Sequence, residues 1–169
     1  GTAHGRVVVA DLFDANELGA QKARLRPNYI PFPASLEEAM KVPLVNRTWL
    51  GKLAVLKVGA RMIASKITGK HWIGAGAALQ GRMFKRALEA GVDTRTAARV
   101  ERLLTDASSR VIGVHATIAG ERKTFFAREG VLVNAGGFAR NQLMRDKYQP
   151  GTRAGWSVVW EGETGEMKK

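Results

Sequence analysis

The chain has no cysteine among its 169 residues. That excludes a disulfide framework, thiolate catalysis, iron–sulfur clusters and cysteine-ligated zinc. Histidine is scarce: His4, His71 and His115 are the only three. No spacing pairs them, so we assign no metal site. Lys or Arg interrupts the longest apolar stretches, and no membrane-spanning helix is expected. The 19 glycines and five prolines follow no fixed period, which sets aside collagen, coiled coils and solenoid repeats. Neither a G-x-G-x-x-G run nor a G-x-S-x-G elbow occurs.

Acidic residues are missing from one long interval. Residues 39–88 hold no Asp or Glu, while Lys41, Arg47, Lys52, Lys57, Arg61, Lys66, Lys70, Arg82, Lys85 and Arg86 account for most of a net charge of +12. Such a stripe attracts polyanions, whether nucleic acid, an acidic membrane or a phosphorylated cofactor. The reading we favour is a solvated face, because no zinc finger, aromatic-rich sheet motif or helix-turn-helix accompanies the charge.

What is present is globular in type, with 45% hydrophobic and 25% charged residues. The length suits one core or part of a larger one. Gly1 is not an initiator Met, nothing near it resembles a signal peptide, and the chain stops soon after Gly162-Glu163-Thr164-Gly165. We therefore expect a piece of a longer protein. The lack of cysteine is compatible with a cytoplasmic location, with membrane association as a further option.

Along the chain, Arg6–Val9 suits a short strand, and Asp14 a cap followed by a turn through Gly19. Pro27, Pro31 and Pro33 impose extended or turn conformations. Ser35-x-x-Glu38 is a capping box that opens a brief helix, which Pro43 stops. From Asn46 to Ile67, Trp49, Leu53, Leu56, Ala60, Ile63 and Ile67 recur at helical spacing, with Lys52, Lys57, Arg61 and Lys66 off the stripe. We expect this stripe to pack on the protein's own core; peripheral contact with an anionic membrane is the alternative.

A second helix is expected from Gly74-Ala75-Gly76 through Leu88, ended by Gly91, and a short strand at Asp93–Thr96. Three strands with short connections, Arg99–Thr105, Val111–Ile118 and Lys123–Ala127, make an antiparallel meander. Val131–Asn134 is β-branched and apolar. It reads as a strand of a parallel sheet, beside Asp93–Thr96 and ending in Ala135-Gly136-Gly137.

Two Gly-rich places can carry chemistry. Gly136-Gly137 after a buried strand lets backbone N–H groups approach a phosphate, or is only a tight turn. Gly74-x-Gly76 has the same two readings: close packing, which we favour, or approach to a bound ring or phosphate. His71, Tyr29 and Tyr148 have no partner fixed by spacing, and we expect structural roles for them. Catalytic residues are not assigned.

These pieces resemble FAD-dependent 3-ketosteroid dehydrogenases and their relatives, the fumarate reductase and succinate dehydrogenase flavoproteins. The likeness is carried by Gly74–Arg82, Arg86–Val92, Thr94–Thr96, Arg110–Val114, Gly130–Asn141 and Gly162–Glu166, and more loosely by Phe13–Gly19. Asn134, Glu166 and Met167 depart from the usual residues, and the family's first Gly-rich turn is not in this sequence. Its substrate domain and catalytic tyrosines would follow Lys169.

The resemblance implies an α/β (mixed α+β) fold: the central part of a Rossmann-like FAD-binding domain with a three-stranded antiparallel meander. Residues 1–73 would form its irregular and helical segment and 74–169 its central FAD-binding segment. It implies FAD as cofactor and, in the parent enzyme, a steroid-like apolar ketone as substrate, a 3-oxosteroid desaturated with FAD as hydride acceptor. A fumarate-like acid is the alternative substrate. Ala135, Gly136 and Gly137 would touch the FAD diphosphate or ribose, Val100 the adenine side, and Thr164, Gly165 and Glu166 the flavin-proximal end. Gly74 and Gly76 are weaker candidates. With only one of the two Gly-rich turns, the chain alone is expected to hold FAD weakly and to catalyse nothing.

Overall fold

The structure is a computed structural model that describes residues 10–27 and 32–166. The strand expected at Arg6–Val9, and Tyr29 and Pro31, lie outside the described residues. The chain packs as two units, 1–96 and 97–169.

In the first unit, strand β1 (Phe13–Asp14) is followed by a 3-10 helix, Ala15–Arg24. The Asp14 carboxylate accepts from Asn16 N at 3.1 Å and from His71 N at 3.0 Å. Helix α1 (Leu36–Lys41) begins with the expected capping box: Ser35 Oγ accepts from Glu38 N, and Glu38 Oε2 accepts from Ser35 N. A 3-10 turn through Pro43 ends it. Helix α2 (Trp49–Thr68) starts at Thr48, whose hydroxyl accepts from Gly51 N, and stops at Gly69 with φ 69°. Only glycine takes that left-handed conformation without strain. Strand β2 (Trp72–Ile73) pairs antiparallel with β1, and helix α3 (Ala75–Glu89) follows. The core is Phe13, Ala15, Leu18, Ile73 and Ala78, with Phe84 and Leu88 of α3 packed against it.

Helix α2 contradicts the expected orientation. Its buried face is Gly51, Ala54 and Val58, all small or medium, whereas Trp49, Leu53, Leu56, Ile63 and Ile67 are 57–79% exposed. The physical reason is close approach: a Cβ on Gly51 would collide with the backbone of Leu44 and Val45, so only small side chains fit on that side. Arg61, expected to be solvated, instead donates to both carboxylate oxygens of Glu38 (2.7 and 2.9 Å) and to Pro33 O at 2.6 Å. That bidentate bond joins α2 to α1.

The second unit is the expected meander: β3 (Ala98–Thr105), β4 (Val111–Ile118) and β5 (Glu121–Phe126), antiparallel in the order β3-β4-β5. Asp106 makes the first turn, its Oδ1 accepting from Ser108 N and Arg110 N. Those bonds hold its carboxyl below the usual range, the Ser108 hydroxyl first among the causes. Ala119 (φ 51°) and Gly120 (φ 82°) make the second turn, which has the primed geometry that suits a twisted hairpin. Helix α4 (Gln142–Tyr148) is capped by Asn141 Oδ1.

Two expected strands are absent. Val131–Asn134 and Asp93–Thr96 are not strands, and no parallel pair forms among the described residues. Extended β-branched residues become a strand only when a ladder partner takes their backbone groups. Here Leu132 is 92% exposed, and the backbone of Thr94 instead accepts from the Arg24 guanidinium.

Candidate functional site

One cavity lies wholly within the second unit. It has a volume of about 310 Å³, and its walls include Val100, Leu103, Val114, Val131, Val133 and Ala135, with Gly162, Glu166 and Arg99 among the other lining residues. The volume is at the low end of ligand pockets, enough for a ring system and not for a whole dinucleotide. The lining is mixed, apolar side chains beside nearly as much polar surface, and the two charged groups, Arg99 Nη2 and Glu166 Oε1, stand 3.9 Å apart.

A bulge positions the wall. Register along β3 and β4 slips between Val100 and Arg102, leaving Glu101 unpaired. After that extra residue the side-chain alternation resumes one position out of step, so Leu103 joins Val100 at the cavity. Simple alternation would have put Val100, Arg102 and Leu104 on one side. Glu101 bonds across the strands instead: Thr117 Oγ1 donates to Oε1 at 2.6 Å and Arg122 Nε to Oε2 at 3.1 Å. These donors, Thr117 first, hold the Glu101 carboxyl below its ordinary value.

The Gly pair and the Thr-Gly-acid segment meet. Gly165 N donates to Gly137 O at 3.1 Å, and Arg140 N to Glu163 O at 2.9 Å. Asn141 Nδ2 donates to Thr164 O at 2.8 Å. Gly136 (φ 72°) and Gly165 (φ 73°) have the left-handed backbone that favours glycine. At Gly165 a Cβ would also sit 2.5 Å from Met144 Sδ and 2.7 Å from Phe138 Cβ. Ala135, Gly136, Gly137, Thr164, Gly165 and Glu166 are therefore one constellation, and Val100 faces Ala135 and Glu166 through the cavity. The sequence reading did not single out Glu163. Its carboxylate lies against the Gly pair, 3.2 Å from where a Gly137 Cβ would be.

Gly74 and Gly76 belong to the first unit. Gly74 is buried, and a Cβ there would strike the carbonyl oxygen of Ala34, which is the close-packing reading. Gly76 is exposed, with nothing within 4 Å of its Cβ position. His71 works through its backbone, accepting from Ala15 N at 2.8 Å. Tyr148 packs on Phe138 with ring centroids 5.8 Å apart. Among the described residues no group of three His, Asp or Glu side chains is placed to hold a metal.

A half-open slot of mixed polar and apolar lining beside a Cβ-free turn, with a carboxylate among its lining residues, fits the adenine-ribose part of a dinucleotide. A ring system in it would be covered by the apolar side chains, and ribose hydroxyls are donors that a carboxylate accepts. The mixed helix-and-strand fold with its antiparallel meander is that of a dinucleotide-binding flavoenzyme segment. The family of the FAD binding domain matches residues 1–169, and the chain belongs to it. FAD is accordingly its cofactor.

Relatives agree. The chain is 34% identical to a 3-oxosteroid 1-dehydrogenase of Mycolicibacterium smegmatis and 33% identical to one of Mycobacterium tuberculosis, each over 96% of this chain and 30% of the relative. A crystal structure of 3-ketosteroid delta1-dehydrogenase from Sterolibacterium denitrificans, in complex with 1,4-androstadiene-3,17-dione, superposes with a TM-score of 0.83 at 30% identity. That match covers 94% of this chain and 31% of the other. The chain thus spans about three tenths of the length of these relatives.

Proposed function

We propose that this chain is the central FAD-holding segment of an oxidoreductase that desaturates a 3-oxosteroid between adjacent carbons. The observation that carries the reading is the convergence of Val100, Ala135–Gly137 and Thr164–Glu166 within one unit whose relatives act, by name, on 3-oxosteroids. Bound FAD would supply the hydride acceptor, while the protein supplies binding and orientation.

In this reading the walls Val100, Leu103 and Val114 exclude water from the adenine, and Glu166, expected from the resemblance at the flavin-proximal end, instead receives ribose hydroxyls because it lines the same small cavity as Val100. Glu163 bears on which part of FAD meets the Gly pair. A carboxylate against that turn repels a diphosphate and accepts from a hydroxyl, which favours the sugar over the phosphates at its Cβ side. The residues that move protons on the steroid are assigned to sequence outside this chain. A cytoplasmic enzyme, with peripheral contact between the 46–67 region and an anionic membrane, completes the proposal.

Turnover of a 3-oxosteroid by the whole enzyme, with an artificial electron acceptor, tests it. Desaturated steroid is the expected product. Reduction of a fumarate-like diacid with no steroid turnover would move the assignment to the fumarate reductase side of the family.

A further inference from the structure

Only three of the residues that line the slot of the second unit carry polar side chains: Arg99, Asn134 and Glu166. The others are glycine or aliphatic. Arg99 and Glu166 stand 3.9 Å apart, so each charge has the other as a partner. Asn134 is exposed, and its carboxamide makes no hydrogen bond among the described residues. It also departs from the residue usual at this place in the family, directly before Ala135-Gly136-Gly137.

These three groups differ in what they can bond. A guanidinium only donates and a carboxylate only accepts, whereas a carboxamide holds a donor and an acceptor side by side. Adenine offers the complementary pair on one edge: its exocyclic amine donates and the adjacent ring nitrogen accepts. We infer that Asn134 is the residue that reads the adenine base, its Oδ1 accepting from the amine and its Nδ2 donating to the ring nitrogen beside it. The inference rests on the reading of this slot as the adenine-ribose site and adds to it a choice of base. Aliphatic walls cover any flat ring and cannot tell adenine from a purine without the amine. A polar group left without its partner by the wrong ring makes that distinction. Asn134 thus determines specificity, selecting FAD over flavin dinucleotides that carry another base.

The test uses the whole enzyme, freed of flavin and reconstituted with one of two cofactors. One is FAD, and the other is its analogue with unsubstituted purine in place of adenine, which lacks only the 6-amino group. The Kd of each is read by flavin fluorescence titration. Wild type is expected to favour FAD by about tenfold, the scale of one good hydrogen-bonded base contact. Asn134→Leu, similar in size and without polar side-chain atoms, should bind FAD about tenfold more weakly and bind the two dinucleotides alike. The ratio of the two affinities is the readout. A purely structural loss at this position would weaken both cofactors equally and leave the ratio unchanged.

A wild type that binds both dinucleotides equally overturns the inference. A preference for FAD that survives in Asn134→Leu overturns it too, and would put base reading elsewhere than this side chain. Val100→Trp, which fills the slot, separates the inference from the reading beneath it, with circular dichroism as the control on folding. If the folded variant loses FAD while the ratio is unchanged in Asn134→Leu, the slot stays the adenine site and only the part given to Asn134 fails. If it stays as yellow as the wild type, adenine lies elsewhere, and the slot reading and the inference fall together. The ratio in Asn134→Leu needs no slot-filling variant to fold. Steroid turnover is read separately, so failure of this inference and failure of the steroid assignment are distinguishable.

Discussion

Residues 10–96 and 97–166 are ordered by different means. The first unit has an apolar core around Phe13, Leu18 and Ile73 and an ion pair, Arg61–Glu38, that locks α1 to α2. In the second, Ala116 is the only buried apolar side chain among the described residues, and Gly113 and Gly165 are buried as well. Strand ladders, the Asp106 turn and backbone bonds such as Gly165 N to Gly137 O set its shape. The lesson is a division of labour. Side-chain packing makes the scaffold, and backbone hydrogen bonding makes the surface proposed to meet the cofactor, where side chains must leave room for a ligand.

That contrast can be broken by substitution. Phe13→Ala should have the largest effect, about 3–5 kcal/mol lost in urea unfolding of the whole protein, because a ring only 3% exposed leaves a cavity. Arg61→Ala should come next, at about 2 kcal/mol near neutral pH, since it strips a charged bidentate donor from a carboxylate of 12% exposure.

Its pH dependence has a definite sign. The Arg61 guanidinium, with burial opposing it, brings the Glu38 carboxyl down from 4.5 to about 2. A depressed acid stabilises the fold above its unfolded value and loses that contribution as pH falls through the folded one. The gap between wild type and Arg61→Ala should therefore be full above pH 4.5 and close towards pH 2. A gap that stays constant would show that Arg61 acts by packing alone.

How much of this was legible in the sequence differs between the units for the same reason. The meander was readable because its turns are local chemistry: Asp106-Ala107-Ser108-Ser109 and Ala119-Gly120 announce themselves within a few residues. The capping box at Ser35 and the glycine stop at Gly91 are equally local. The α2 stripe is different. Periodicity located Trp49, Leu53, Leu56, Ile63 and Ile67 on one face, but what covers a face is a tertiary fact, and the face that packs is the small-residue one through Gly51.

In the candidate site, Ala135–Gly137, Thr164–Glu166 and Val100 were named through the family resemblance, and the structure brings them together. Leu103 was missed because nothing local marks the bulge at Glu101. Glu163 was missed because its meeting with Gly137 joins residues far apart in the chain. Val131–Asn134 shows the converse error: a strand-like composition with no ladder partner among the described residues.

Smaller effects sharpen the comparison. Asn141→Ala removes the cap of α4 and the donor to Thr164 O, and should cost about 1 kcal/mol of stability while weakening FAD binding measurably by fluorescence titration. Leu56→Ala, at a side chain 70% exposed, should change unfolding by less than about 0.5 kcal/mol. A large loss there would mean that the outer face of α2 is buried in the whole protein.

The most direct measurement of the central claim is FAD retention by Gly137→Val in the whole enzyme, read from flavin absorbance after purification, with circular dichroism as the control on folding. A Cβ at this position already lies 3.2 Å from Glu163 Oε2, and valine's branches would push that carboxylate aside and close the backbone face of the turn. The account predicts a colourless protein with its helices intact. A folded variant as yellow as the wild type would contradict it, and would leave the Gly pair as a turn with no part in holding the cofactor.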